Sequence, residues 1–197
     1  MTEPTGRRER KKAQTRQSLA DAALELFLDR GYDQVGVKDV ADAADVSVTT
    51  LFKHFPGKEA LVFDQDDDLE AALVAAVRDR TPGQSIPQAL REHILLTQTQ
   101  FAVHTTDPRF AEFTRMVQET PALRDYAHRM WTRHEAALAR AIAEAVGAPE
   151  DDVSCAALAR FALEARGLIL RHAEPSRAAD EAFALLEHGW AASHPGN

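Results

Sequence analysis

Hydroxyl, amine and imidazole side chains gather on one side of a short stretch, residues 47–54, that reads SVTTLFKH. In a helix, Leu51 and the following Phe55 share one side, because they are four residues apart. The other side then carries the remaining residues: Val48, Thr49, Thr50, Lys53 and His54. Such groups on a narrow helix bind base edges and phosphates in the major groove, so the stretch predicts recognition of double-stranded DNA.

Two short helices joined by a tight turn position these side chains. We predict the first helix over about Val37–Ala44, with Gly36 as its N-cap. The turn is Asp45-Val46-Ser47. Ser47 caps the second helix, over about Val48–His54, because its hydroxyl can accept a backbone N–H that has no partner in the helix. This is the arrangement of a helix-turn-helix motif.

Positive charge is concentrated ahead of this motif. Residues 1–60 carry ten Lys or Arg and ten Asp or Glu, whereas the rest of the chain carries 13 and 21, so the net charge of -8 lies in the later part. Two acidic residues, Glu3 and Glu9, lie among six basic ones: Arg7, Arg8, Arg10, Lys11, Lys12 and Arg16. A solvated tail is the plain alternative, but ahead of a helix-turn-helix we favour contact with DNA phosphates.

The stretch resembles the helix-turn-helix of TetR-family transcriptional regulators. The match runs from about residue 10 to 62, and its fixed points are LADAA at 19–23, LF at 26–27, GY at 31–32, HFP at 54–56 and KEAL at 58–61. The resemblance implies a homodimer that binds a DNA operator, represses transcription and responds to a small-molecule effector. It also implies the DNA-binding residues, which are Lys11, Lys12, Arg16, Lys38, Ser47, Val48, Thr49, Thr50, Phe52, Lys53, His54 and Lys58.

Two positions depart from the family pattern. Asp45 stands where the family usually has a glycine in a left-handed conformation, and Asp tolerates that conformation better than most residues do. Phe52 stands where the family usually has a tyrosine whose hydroxyl commonly reaches a phosphate. Because Phe52 has no hydroxyl, we expect it to contact sugar or a thymine methyl instead.

Helical periodicity continues along the chain, without an alternating strand pattern or a β-hairpin dipeptide. We predict an all-α fold of about nine helices in three parts: a disordered basic arm at 1–9, a helix-turn-helix DNA-binding domain at 10–56, and a ligand-binding and dimerisation domain at 57–197. Besides the two helices of the motif, helices are expected at about 10–30, 57–80, 85–104, from 107, 120–146, 149–173 and 175–193.

Several classes of site and location are disfavoured. The one cysteine, Cys155, allows no intrachain disulfide and no cysteine-based metal site. The acidic run at 66–68 splays around a helix, so we interpret it as solvated surface and assign no metal and no cofactor. No apolar run reaches transmembrane length, and no apolar signal segment follows the basic N-terminal stretch, so we expect a cytoplasmic protein without a membrane partner.

The last two predicted helices are rich in alanine, which allows helices to pack closely. Larger apolar residues punctuate them: Phe161, Leu168, Phe183, Leu186 and Trp190. An ordinary intrachain core is the alternative, with Ala serving only as a helix former. The resemblance favours the dimer, because TetR-family regulators dimerise through their last two helices.

A ligand pocket is expected among predicted helices four to eight. Its candidates are aromatic, Met and His side chains at helical spacing, with His93 and His104 as the polar groups and the following as the others: Phe101, Phe110, Phe113, Met116, Met130, Trp131, His134 and Phe161. The alternative is that these residues only form the hydrophobic core. We expect a largely apolar pocket with a few polar groups, suited to an elongated acyl-type molecule or, as a second choice, to a flat aromatic drug.

Three functions remain in competition. The first is a ligand-gated dimeric repressor, and the second is an architectural protein that binds DNA without sequence preference. The third is an all-α enzyme, but the sequence offers no P-loop, Gly-x-Gly-x-x-Gly, His-Glu-x-x-His or Gly-x-Ser-x-Gly motif. His134 and Glu135 are adjacent and so point about 100° apart on a helix. We therefore predict a regulator that is not an enzyme.

Overall fold

The computed structural model describes the backbone of residues 6–105 and 108–193, and side chains within those ranges except at 98–105, 108, 170–171 and 190–193. The fold is all-α, and these residues contain ten α-helices, one 3-10 turn (Tyr32–Gln34) and no strand. The helices are α1 Arg7–Arg30, α2 Val37–Ala43, α3 Val48–His54, α4 Lys58–Val62, α5 Asp66–Arg78, α6 Ile86–Thr105, α7 Pro108–Glu119, α8 Pro121–Val146, α9 Val153–Arg171 and α10 Pro175–Ser193.

The chain divides into two compact units. The first comprises Met1–Asp66 and Pro108–Ala127, and the second comprises Asp67–Asp107 and His128–Asn197. The first unit therefore extends beyond the helix-turn-helix and takes in α7 and the start of α8. None of the helices in the described part of the chain is long and apolar enough to cross a membrane.

Helix α1 begins at Arg7, three residues before the expected start at Arg10. The backbone N–H groups of Glu9 and Arg10 donate to the carbonyl of Gly6 and so close the first turn. Glu9 lies in that turn, where the helix dipole favours a negative charge. Residues 7–9, expected in the disordered arm, are therefore helical, whereas residues 1–5 lie outside the described part of the chain.

The core of the first unit forms where α1 packs on α2 and α4 and where α2 packs on α3. Its fully buried side chains come from all of these elements: Leu19, Ala23, Phe27, Val40, Leu51, Phe55 and Leu61. Leu123, near the start of α8, is buried in the same cluster, and Phe113, Met116 and Val117 of α7 pack against it. The helix-turn-helix thus shares its core with two helices that lie far away in sequence.

The single helix predicted at 57–80 is two helices, α4 and α5, separated by residues 63–65. This accounts for ten helices where about nine were expected. Two contacts of the first unit hold the break: the ring of Phe63 stacks on Tyr126 at 5.3 Å, and the guanidinium of Arg16 donates to the carbonyl of Asp64 at 2.7 Å. Both partners are distant in sequence, so the periodicity of the segment alone did not indicate the break.

The second unit is a helical bundle built from α5, α6, α8, α9 and α10. Its core is built from apolar residues at helical spacing, with Ile86, Leu90 and Ile94 on α6 and Leu138 and Ile142 on α8 all buried. Small residues of α9, including Ala159 and Ala162, are also buried in this core. Asp152 caps α9, because its carboxylate accepts the backbone N–H of Cys155 at 2.8 Å.

Candidate functional site

Helix α3 presents a polar face to solvent on a buried apolar base. Leu51 and the C-cap residue Phe55 are almost completely buried, as their spacing predicted. On the opposite face, Thr49 and Lys53 are exposed, and the Phe52 ring remains 51% exposed. An aromatic ring left this open at the centre of a short helix is available for contact with another molecule.

The N-terminus of α3 is capped as expected. The hydroxyl of Ser47 accepts the backbone N–H of Thr50 at 3.1 Å, and the two hydroxyl oxygens lie 2.9 Å apart. Val48 is partly buried and packs against the core of the first unit. Ser47 is therefore occupied in shaping the helix while its side chain stays exposed to solvent.

Asp45 makes the turn between α2 and α3 in the left-handed conformation, with φ 52°. The backbone N–H of Val46 then donates to the carbonyl of Ala41 at 2.9 Å, which closes the end of α2. The prediction that Asp can replace the usual glycine of this turn is confirmed. The cost of a left-handed conformation is lower for Asp than for most residues with a Cβ.

The basic start of α1 lies beside the C-terminal end of α3. Lys11 and Lys12 are exposed on α1. The pKa of His54 is lowered, first by its burial and then by the positive charges of Lys12 and Arg16. One surface of the first unit therefore combines the exposed side chains of α3 with exposed cations of α1, and that combination suits a phosphate backbone.

Arg16, however, is tied into the first unit. Its guanidinium donates to the carbonyl of His54 at 2.8 Å and to the carbonyl of Asp64 at 2.7 Å. The same group lies 4.4 Å from the centroid of the Phe55 ring. Arg16 thus joins α1, the C-terminal end of α3 and the break between α4 and α5. Sequence reasoning treated this residue only as a phosphate ligand and missed these contacts.

Lys58 is likewise engaged inside the unit. Its ammonium donates to the carbonyl of Tyr32 and lies 3.8 Å from the centroid of the Tyr32 ring. Burial lowers the pKa of Lys58. Lys38 differs, because it is exposed on α2 and pairs with Asp42 one helical turn away at 2.7 Å. The cations predicted to bind DNA therefore divide into exposed ones and ones that hold the first unit together.

An apolar groove of about 560 Å³ runs between α9 and α10 in the second unit. Phe161, Leu168 and Leu185 border it, and Leu168 and Leu185 remain 63% and 76% exposed. Leu186 also lines the groove, whereas Phe183 is 2% exposed and lies in the core of its own unit. The side chain of Trp190, the fifth residue predicted for a dimer interface, lies outside the described residues.

A small cavity lies where α5, α6, α8 and α9 meet. The described residues that line it are Leu69, Leu73, His93, Thr97, Trp131 and Arg166. The cavity measures about 20 Å³, enough for about one water molecule. The guanidinium of Arg166 in this lining lies 5.0 Å from the centroid of the Trp131 ring.

Comparison with known proteins supplies the family. The family model described as "Bacterial regulatory proteins, tetR family" matches residues 19–64. The HTH-type transcriptional regulator TcmR of Streptomyces glaucescens is 32% identical over 151 residues, which are 75% of this chain and 67% of TcmR. The chain belongs to the TetR family. The relative that carries this assignment is named a transcriptional regulator and not an enzyme.

Solved structures confirm the fold of this TetR-family chain. A TetR-family regulator from Streptomyces coelicolor A3 superposes with a TM-score of 0.59 at 16% identity, covering 96% of this chain and 99% of the other. A complex of SmeT with triclosan superposes with a TM-score of 0.57 at 15% identity, covering 89% and 91%. At these identities the likeness shows the fold alone: an N-terminal helix-turn-helix and a C-terminal helical domain.

The structure distributes the predicted ligand residues of the TetR-family chain over several places. His93 lines the small cavity, the Trp131 ring lies edge-on to buried His134 at 5.2 Å, and Met130 is buried in the second unit. Phe113 and Met116 pack on the core of the first unit, and Phe161 borders the exposed groove. The side chains of Phe101 and His104 lie outside the described residues.

Arg166 is the charged cavity residue that sequence reasoning missed. It lies four residues after Ala162 and three before Ile169, both of which are buried. An arginine that continues a buried row of helix α9 was the available signal, because a surface arginine would fall outside such a row. The pKa of Arg166 is lowered by burial.

Proposed function

We propose that this TetR-family chain is a ligand-responsive repressor that binds a palindromic operator as a homodimer. The observation that carries the proposal is the exposed face of α3, where Thr49, Phe52 and Lys53 stand on a buried apolar base. Such a face enters the major groove, while the exposed lysines of α1 contact phosphates and fix the orientation.

The dimer forms through the apolar groove between α9 and α10. Exposed side chains as large as those of Leu168 and Leu185 are unusual on a monomer when they border one continuous apolar surface. A two-fold contact would let each protomer cover the groove of its partner. Two α3 helices could then reach successive major-groove faces, about 34–36 Å apart or a multiple of that distance.

The spacing of the two α3 helices in such a dimer explains how an effector can release the protein from DNA. A ligand shifts a conformational equilibrium only by its differential affinity for the two states. An effector that binds better when the spacing of the two α3 helices does not match the operator therefore weakens DNA binding. SmeT, which has the same fold, forms a complex with triclosan, and this supports a small-molecule effector here.

The test is selection of genomic DNA fragments by the purified protein at physiological salt, followed by sequencing. We expect an inverted repeat among the recovered fragments, because the two-fold symmetry of the dimer is mirrored in its operator. A Thr49→Ala/Lys53→Ala variant should lose this enrichment. An Arg177→Ala variant, which removes an exposed cation from α10 of the second unit, should keep it.

The selection experiment also distinguishes a repressor from the alternative functions. Uniform recovery of fragments with a steep dependence on salt would replace the repressor by an architectural DNA binder. Recovery of no DNA at all would refute the proposal that α3 is a recognition helix. Repression itself is tested by placing a reporter gene behind the recovered repeat, where expression should fall when the protein is present.

A further inference from the structure

Phe52 is the exposed aromatic residue of the first unit. Its side chain is 51% exposed, whereas the other aromatic side chains among the described residues of that unit are buried or half-buried. Its neighbours in and after α3, Leu51 and Phe55, are 0% and 1% exposed and belong to the core. The inward side of α3 is therefore already filled by other side chains, and the Phe52 ring remains outside the core.

The ring lies on the flank of the helix face that carries Thr49 and Lys53. These two residues are four apart, so they lie within about 40° of each other around the helix axis. Phe52 follows Thr49 by three residues and lies about 60° from it, on the side away from Lys53. All three side chains are exposed. If α3 directs Thr49 and Lys53 at base edges, the same docking brings the Phe52 ring against the major groove.

A phenylalanine ring has no hydrogen-bonding group, so it gains only from apolar parts of the DNA. In the major groove the 5-methyl group of thymine is the apolar group that distinguishes one base pair from the others, and the remaining base-edge groups are hydrogen-bond donors and acceptors. A ring placed over a donor or acceptor would withdraw it from water without replacing its hydrogen bond, which is costly. A ring placed over the methyl group removes two apolar surfaces from water, which is favourable.

We propose that Phe52 is a specificity-determining residue whose ring contacts the 5-methyl group of a thymine in each half-site of the operator. The inference rests on the proposed function and deepens it, since it names a base that the exposed face of α3 prefers. TetR-family regulators usually have a tyrosine at this position, and its hydroxyl commonly reaches a phosphate. In this chain a contact that is the same for every sequence is replaced by one that depends on the base.

The deoxyribose sugar is the alternative partner of the ring, because its carbon atoms are apolar and lie at the edge of the groove. A sugar contact is the same for every base pair, so it adds affinity without a sequence preference. The two partners are distinguished by removing the methyl group alone. Deoxyuridine does this, because it differs from thymidine only by that group and pairs with adenine in the same way.

The test selects binding sites for the full-length protein from two random duplex libraries, one made with thymidine and one with deoxyuridine. The sites enriched from the thymidine library are then synthesised with either base, and fluorescence anisotropy measures the dissociation constant of each form. We expect deoxyuridine to weaken binding about 4-fold in one half-site and about 15-fold in both, the value of one buried methyl group at each. Exchanging one symmetric pair of thymines at a time identifies the thymine that the ring contacts.

Variants assign the preference to Phe52. Phe52→Ala should bind the thymidine and deoxyuridine forms with equal affinity, and Phe52→Leu, which keeps a smaller apolar side chain, should retain part of the preference. Lys53→Ala is the matched control, because it removes an exposed side chain from the same face of α3. It should weaken binding to both forms and keep their ratio. Thr49→Ser removes the other methyl group that this face offers to thymine and should also keep the ratio.

Equal affinity of the wild-type protein for the two forms would overturn the proposal, and a loss of affinity in Phe52→Ala would then assign the ring to the sugar. A preference that persists in Phe52→Ala would also overturn it, and loss of that preference in Thr49→Ser would transfer the contact to Thr49. If Phe52→Ala does not fold, Phe52→Leu decides, because an unchanged ratio in that variant contradicts the proposal.

Failure of the proposed function gives a different result from failure of this inference. If no sequence is enriched from either library, the protein is not a sequence-specific repressor and the contact with thymine is refuted with it. If the same inverted repeat is enriched from both libraries and binds with equal affinity in both forms, the repressor proposal stands and only the role of Phe52 is refuted.

Discussion

Replacing Arg16 with methionine removes the group that joins three elements of the first unit. The guanidinium donates to the carbonyl of His54, the last residue of α3, and to the carbonyl of Asp64 in the break before α5. Methionine keeps an apolar side chain of similar length over the Phe55 ring, so the change mainly deletes the charge and two hydrogen bonds. We expect a less stable first unit and a less well oriented α3.

The magnitude follows from the contacts. A hydrogen bond from a charged donor contributes about 1.5–3 kcal/mol, and a cation–π contact about 0.5–1 kcal/mol at an exposed site. Arg16 is only partly buried, so solvent screens these interactions and the lower end of each range applies. In the variant, water can hydrogen-bond to one of the two carbonyls that Arg16 no longer contacts, and this offsets part of the loss. We therefore expect the free energy of unfolding to fall by about 2–3 kcal/mol.

Urea unfolding followed by circular dichroism measures this loss, at a fixed protomer concentration because dimerisation contributes to apparent stability. Both tryptophans, Trp131 and Trp190, belong to the second unit, so tryptophan fluorescence follows that unit separately. The dichroism transition should shift more than the fluorescence transition. Lys12→Met, one turn earlier on α1 and exposed, is the control and should change stability by less than about 0.5 kcal/mol.

DNA binding separates the two roles that Arg16 could have. A residue that positions α3 should weaken binding to the operator without changing the dependence on salt. A phosphate ligand should instead reduce the salt slope by about one unit when it is removed. A reduced slope together with unchanged stability would refute the positioning role and return Arg16 to the DNA interface.

Four further outcomes are expected. Lys53→Ala should weaken operator binding by about 1–3 kcal/mol in fluorescence anisotropy if the exposed amine contacts a base edge; unchanged affinity would remove Lys53 from the interface. Burial holds the pKa of His54 below 6.5 in the free protein, whereas nearby phosphates would raise it. Operator affinity should therefore rise as the pH falls below 6.5, free-protein stability should fall over the same range, and His54→Gln should abolish both trends. Leu168→Asp should give monomers in light scattering. The control Val153→Asp, at an 80% exposed position of the same helix, should stay dimeric. A dimeric Leu168→Asp variant would exclude the α9–α10 groove as the interface. Asp45→Val should lower the free energy of unfolding in urea by about 1–2 kcal/mol, because a β-branched residue disfavours the left-handed conformation. Asp45→Asn should leave it nearly unchanged. Equal stability of the two variants would contradict this explanation.

The local part of the fold was predictable because local signals determine it. The cap at Ser47, the buried pair Leu51 and Phe55, and the tolerance of Asp45 for the turn all act within a few residues, and the structure has α3 at the bounds expected from them. Helix α10 also has its expected bounds, since Pro175 starts it. Capping and periodicity need no knowledge of the rest of the chain.

The break between α4 and α5 and the packing of α7 were not predictable in that way. The hydrogen bond from Arg16 to Asp64 spans 48 residues, and Leu123 joins a core made mainly by residues before 63. Phe113 and Met116 have the helical spacing of pocket residues, and the same spacing serves a core equally well. Only the tertiary contacts decide between those uses.

Arginine and lysine gave sequence reasoning its least specific signal, because a count of charges does not tell what each cation binds. The predicted DNA contacts included Arg16 and Lys58, yet the first donates to two carbonyls within the first unit and the second donates to the carbonyl of Tyr32. The exposed cations that remain on α1 and α3 are therefore the ones that we expect to determine the dependence of DNA binding on salt. In the second unit the same ambiguity concealed Arg166, which lies on α9 between the buried residues Ala162 and Ile169.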